Sequence, residues 1–209
     1  VYNELSAELT TVFAGYDVAE VSDAKVIALV ANDEVATGAQ AGDSVAVFLD
    51  KTPFYAESGG QVGDHGTIKT ANGLVEITDC VKVVGGKTAH MGKVVEGTIM
   101  VDDVVTASID MKHRMASSRN HSATHLLQKA LRTVLGTHVE QSGSLVTADR
   151  LRFDFTHFSG MTQEEIKEVE RLVNDAMAAG KDAVLLLCSH DCPAEYDIDA
   201  ATAMVTDIY

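Results

Sequence analysis

The patterning of this chain switches from strand-like to helical near residue 110, so one architecture cannot run through both halves. Before the switch, short runs rich in β-branched residues occupy positions 26–30, 45–49, 74–77, 81–84 and 104–109. Turn signals separate them: Asn32 with Asp33, Gly42 with Asp43, Asn72 with Gly73, Gly85 with Gly86, and Asp102 with Asp103. Short strands at this spacing predict a small β-barrel.

After the switch, Ser117 or Ser118 reads as a helix N-cap. Apolar residues then recur at Ala123, Leu126, Leu127, Ala130, Leu131 and Val134, and Gly136 stops the helix. Leu151, Phe153 and Phe155 alternate with Arg152, Asp154 and Thr156, the signature of a half-buried strand. Thr162 and Glu165 form a capping box ahead of a second amphipathic helix. That helix carries Ile166, Val169, Leu172, Val173 and Ala176 and is expected to end at Gly180; residues 183–188 read as a buried strand. The expected fold class is α+β: a barrel over residues 1–110 and an α+β core over 111–209, with the boundary inside 108–112.

Composition narrows the setting. The chain is 46% hydrophobic with two prolines and no tryptophan, ordinary for a globular protein. No apolar run reaches the length of about 18 residues that a membrane helix needs, so no membrane partner is expected. Three cysteines, Cys80, Cys188 and Cys192, are too few and too uneven for a disulfide framework. A reduced, cytoplasmic setting fits that usage. The opening residues do not read as a secretory leader. Val1 in place of a methionine is read as the start of a piece cut from a longer chain.

The net charge of −15 argues against nonspecific nucleic-acid binding, but the distribution matters more. Positions 111–139 hold no acid at all and carry Lys112, Arg114, Arg119, Lys129 and Arg132. From Gly160 onward, eleven acids face three basic residues. Positive charge therefore gathers around one helix.

In the middle of that helix stands RNHSATH, residues 119–125. At about 100° per residue, His121 and His125 sit about 40° apart on one face. The apolar stripe lies roughly opposite, and Gln128 and Arg132 share the histidine face. This spacing lets two imidazoles converge on one ion. A zinc peptidase helix has the form H-E-x-x-H with its glutamate as base; Ser122 stands in that place, which removes the base. Two histidines alone do not complete a zinc site, which needs three protein ligands if catalytic and four if structural.

Four stretches together resemble the alanyl-tRNA synthetases: KTPFYAESGGQVGDHG (51–66), RNHSATHLLQKALR (119–132), HVEQSGSLV (138–146) and RLRFDFTHF (150–158). The last three keep the family's order and near spacing. The resemblance covers about residues 10–180 and is to the β-barrel and editing region in the middle of that enzyme. The ATP-dependent aminoacylation domain is absent from this stretch.

The resemblance implies a deacylase that clears mischarged Ser-tRNA(Ala), and to some extent Gly-tRNA(Ala), by cleaving the aminoacyl ester. It implies zinc held by His121 and His125 together with a later C-x-x-x-H. It implies that Thr124 helps reject correctly charged alanine, that Gln141 lines the editing pocket, and that Gly59 and Gly60 belong to a barrel loop approaching that pocket. The implied partners are the tRNA(Ala) acceptor end, with the five basic residues on phosphates, and the rest of the parent synthetase.

The chain departs from the family in one respect. No C-x-x-x-H follows residue 180; Cys188, His190 and Cys192 in CSHDC have the wrong spacing. A second reading is therefore a tRNA acceptor-end binding module without hydrolytic activity. The other histidines, His65, His90, His113, His138 and His157, read as surface or packing residues.

Overall fold

The computed structural model describes residues 1–179. The expected helix end at Gly180, the strand over 183–188, and Cys188, His190 and Cys192 lie outside the described residues. Ten strands come first: β1 (Val12–Phe13), β2 (Glu20–Ala31), β3 (Glu34–Ala36), β4 (Gly38–Gln40), β5 (Ser44–Leu49), β6 (Lys51–Thr52), β7 (Gly66–Lys69), β8 (Gly73–Val83), β9 (Lys87–Met100) and β10 (Val104–Ile109). Then follow α1 (Met111–Leu135), the hairpin β11 (Gln141–Val146) and β12 (Leu151–Phe155), and α2 (Gln163–Ala178). The chain divides into two compact units, residues 1–58 with 62–114, and residues 59–61 with the chain from Met115. The division falls inside α1, after Arg114.

The first unit is the expected barrel. Strands β10, β7, β8, β9, β5 and β2 are hydrogen-bonded in that order, and β2 pairs back onto β10. Closure satisfies the edges that an open sheet would leave. The interior is filled by Leu29, Val47, Leu49, Phe54, Ile68, Val75, Ile77, Val94 and Ile99, among others. A second cluster, Leu5, Ala28, Val30, Ala46, Phe48 and Ala89, covers the other face of β2 and β5. This explains why residues 45–49 are apolar without interruption: Val45, Val47 and Leu49 face one core while Ala46 and Phe48 face the other.

The turns follow their residues. Asn32 and Asp33, at φ 49° and 66°, make the left-handed pair that a tight β2–β3 hairpin needs. Asp102, at φ 74°, turns β9 into β10. Two expected strands, 74–77 and 81–84, are one strand, β8, with a register shift between Ile77 and Asp79; Val84 belongs to the short 3-10 turn that follows. A bulge absorbs the polar interruption without ending the pairing. The sequence reading missed the short strands β1, β3, β4 and β6, the hairpin strand β11, and also β7 and the long β9. β9 contains two glycines and three lysines or glutamates, yet it pairs with β4, β5 and β8.

His90, on β9, is a packing residue. Its Nδ1–H donates to the Val47 carbonyl at 2.8 Å, and Nε2 accepts from the Thr52 hydroxyl at 2.7 Å. Thr52 Oγ1 in turn accepts the Phe54 N–H at 3.1 Å.

Helix α1 starts at Met111, ahead of the expected cap at Ser117 or Ser118. Asp110 is the cap: its Oδ1 accepts the N–H groups of Lys112 and His113 at 2.9 and 3.1 Å. The strand β10 thus runs straight into the helix, and Ser117 is an interior, buried helix residue. Gly136, at φ 115°, ends α1 as expected. In the second unit the α1 stripe (Leu127, Ala130, Leu131, Val134) packs with Val139, with Phe153 and Phe155 of β12, and with Val169, Leu172 and Val173 of α2. The Thr162–Glu165 capping box starts α2 as expected.

Candidate functional site

With its apolar stripe buried in that core, α1 turns a polar face elsewhere. Ser117, His121 and Thr124 on this face are buried, and His125 and Gln128 half-buried. Buried polar groups ordinarily find partners. Here Ser117 Oγ, His125 Nε2 and Gln128 Oε1 are enclosed and, among the described residues, have no hydrogen-bond partner.

The two imidazoles lie nearly parallel, with ring centroids 5.6 Å apart and 7° between planes. Desolvation lowers the pKa of both, and the neighbouring His125 lowers His121 further. Burial thus favours the neutral imidazole at both positions, which is the form that binds metals. Their pairing, neutrality and an unpartnered buried nitrogen on His125 suit half of a zinc ligand set. Among the described residues no group of three His, Cys, Asp or Glu side chains gathers that could hold a metal ion.

The glycine pair reaches this unit. Gly59 and Gly60 are left-handed, at φ 58° and 79°. The Gly60 carbonyl accepts the Val146 N–H at 2.7 Å, and Gln61 bridges to Val146 in parallel register. These bonds deliver Gln61 to α1. Its side chain is 1% exposed, and its Oε1 lies 2.8 Å from His121 Nδ1. Sequence reasoning missed this partner of His121. The one signal for it was a glutamine directly after two glycines, in a loop already singled out.

Thr124 sits between the histidines and donates its hydroxyl proton to the His121 carbonyl at 2.6 Å. That back-bond uses the proton and leaves the oxygen lone pairs as acceptors. Gln141 opens β11, opposite Phe155, with its side chain exposed. Asn120, also unremarked in the sequence, ties α1 to the β11–β12 turn through the carbonyls of Thr147 and Ala148.

The five basic residues fall into two groups. Lys112, Arg119, Lys129 and Arg132 are exposed along α1. Arg114 is turned inward. Its Nε donates to both Asp64 oxygens at 2.8 and 3.0 Å, its Nη1 to the Gly15 carbonyl at 2.9 Å, and its Nη2 to the Pro53 carbonyl at 3.0 Å and to Asp64. This guanidinium is committed to the barrel unit.

The family model for class II tRNA synthetases (A) matches residues 1–113. The alanine–tRNA ligase of Acetivibrio thermocellus is 55% identical over 175 residues, covering 84% of this chain and 20% of the relative. The alanine–tRNA ligase of a Thermoanaerobacter species is 50% identical over 175 residues, with the same coverage. That of Burkholderia multivorans is 46% identical over 181 residues, covering 87% of this chain and 21% of the relative. The chain thus spans about a fifth of the length of the curated relatives it matches. No described helix is long and apolar enough to cross a membrane.

Proposed function

The chain belongs to the class II tRNA synthetase (A) family, and on that premise we propose that it is the barrel and editing region of an alanine–tRNA ligase, a hydrolase of Ser-tRNA(Ala) and Gly-tRNA(Ala). The observation that carries this reading is the polar face of α1, where two parallel imidazoles lie among enclosed polar atoms that have no partner among the described residues. An aminoacyl ester is already activated, so its hydrolysis asks for little beyond a positioned water and a stabilised carbonyl oxygen. When bound, a zinc ion would supply positive charge for that purpose or for orienting the substrate. His121 and His125 would hold it, with further ligands from outside the described residues.

Rejection of alanine falls to the polar groups of the same face. Thr124 Oγ1 keeps lone pairs free to accept from the serine hydroxyl, because its own proton goes to the His121 carbonyl. A site that hydrogen-bonds this hydroxyl penalises alanine by leaving buried polar groups unpaired. Gln141 and the glycine pair are assigned to the rest of the pocket. Lys112, Arg119, Lys129 and Arg132 are assigned to acceptor-end phosphates; Arg114 is left out, since Asp64 and two carbonyls take up its donors.

A second reading is supported by the exposed basic residues Lys112, Arg119, Lys129 and Arg132 along α1. In it, this stretch binds the tRNA acceptor end without hydrolysing anything. Zinc analysis after dialysis separates the two. About one zinc per chain supports the deacylase. No retained zinc in the intact parent supports the binding module.

A further inference from the structure

We propose that Gln61 is a positioning residue that fixes the tautomer of His121, holding the ring proton on Nδ1 and leaving the Nε2 lone pair for a ligand. The role as a ligand rests on the function proposed above; the tautomer does not.

The geometry is specific. Gln61 is among the largest fully buried side chains of the described residues, and His121 is 8% exposed. Their 2.8 Å contact joins Gln61 Oε1 to His121 Nδ1. An amide oxygen only accepts, so Nδ1 must carry the proton, and Nε2 is left with its lone pair. The opposite tautomer would set two lone pairs against each other inside a buried contact. Imidazoles that bind metals commonly give their second nitrogen to such an acceptor, which fixes both tautomer and ring plane.

The backbone makes the contact rigid. The Val146 N–H holds the Gly60 carbonyl, the Gln61–Val146 bridge continues the register, and Gly60 is packed onto Ser144. No other conformation of residues 59–61 is needed to bring the amide to His121, so little freedom is lost when the ligand arrives. The glycine pair has a mechanical purpose in this account: it carries one buried amide to one histidine.

The test reads the ring nitrogens of His121 by 15N NMR in the metal-free 209-residue chain, above neutral pH. Wild type should show the Nδ1–H tautomer. Gln61→Glu, which keeps an acceptor and cannot present an N–H, should retain it. Gln61→Met, similar in shape but without that acceptor, should relax toward the Nε2–H form that free side chains favour. A proton on Nε2 in the wild type, or in Gln61→Glu, overturns the proposal, whether or not Gln61→Met folds. In the intact parent, Gln61→Met should weaken zinc binding by about 10–100-fold, with Gln61→Glu restoring it. An Nδ1–H tautomer that follows the substitutions, in a parent that binds no zinc, would uphold Gln61 as the orienting group and reject the metal reading alone.

Discussion

Gly60 and Ser144 approach so closely that a Cβ on Gly60 would stand 2.2 Å from Ser144 Oγ and 2.7 Å from its carbonyl oxygen. The neighbouring backbone carbonyl cannot step aside, and Gly60 is in the left-handed region at φ 79°. Gly60→Ala should therefore undock residues 59–61 from β11 at a cost of about 1–3 kcal/mol. Faster amide exchange at Val146, whose N–H donates to the Gly60 carbonyl, is the expected readout. Unchanged protection there would show that the loop tolerates a side chain.

Arg114 and Asp64 make a buried, bidentate pair in the barrel unit, extended to the Gly15 and Pro53 carbonyls. Removing one partner strands the other charge. Arg114→Ala should destabilise the unit by about 3–5 kcal/mol in denaturant unfolding. Arg114→Lys should recover only part of this, because an ammonium cannot reproduce the planar fork.

The exposed basic residues should behave in the opposite way. Arg119→Ala, Lys129→Ala and Arg132→Ala should leave stability nearly unchanged. Each should lower the salt slope of tRNA binding to the intact parent by about one. A slope that does not move would remove these residues from the phosphate contacts.

His90 gives the barrel a pH dependence. Burial pushes its imidazole down from 6.5 to about 4. Between those values the unfolded chain takes up a proton that the folded chain refuses. The stabilisation is thus complete above about pH 6.5 and lost as pH falls through 4, amounting to about 3 kcal/mol in all. His90→Gln should flatten the stability profile of that window, measured by urea unfolding.

The barrel was legible because its β-branched runs and turn pairs are local signals. β9 was not, because Lys87–Met100 owes its place to pairing on both sides rather than to its own composition. The start of α1 was misplaced for a similar reason: Asp110 sits where a strand ends, and two serines further on offered a more familiar cap. At the candidate site, the placement of His121 and His125 side by side on one helix face was readable from their spacing. Gln61 lies sixty positions away, and its contact is a product of the fold. Arg114 looked like its basic neighbours, and only the burial of Asp64 sets it apart.

The central claim is that the histidine face of α1 hydrolyses mischarged tRNA. The most direct measurement is the release of serine from Ser-tRNA(Ala) by the intact parent and by its His121→Ala, His125→Ala variant. The parent should release serine, the variant should lose this activity by at least about 100-fold, and aminoacylation with alanine should persist in both. Serine release at the parental rate in the double variant would contradict that claim.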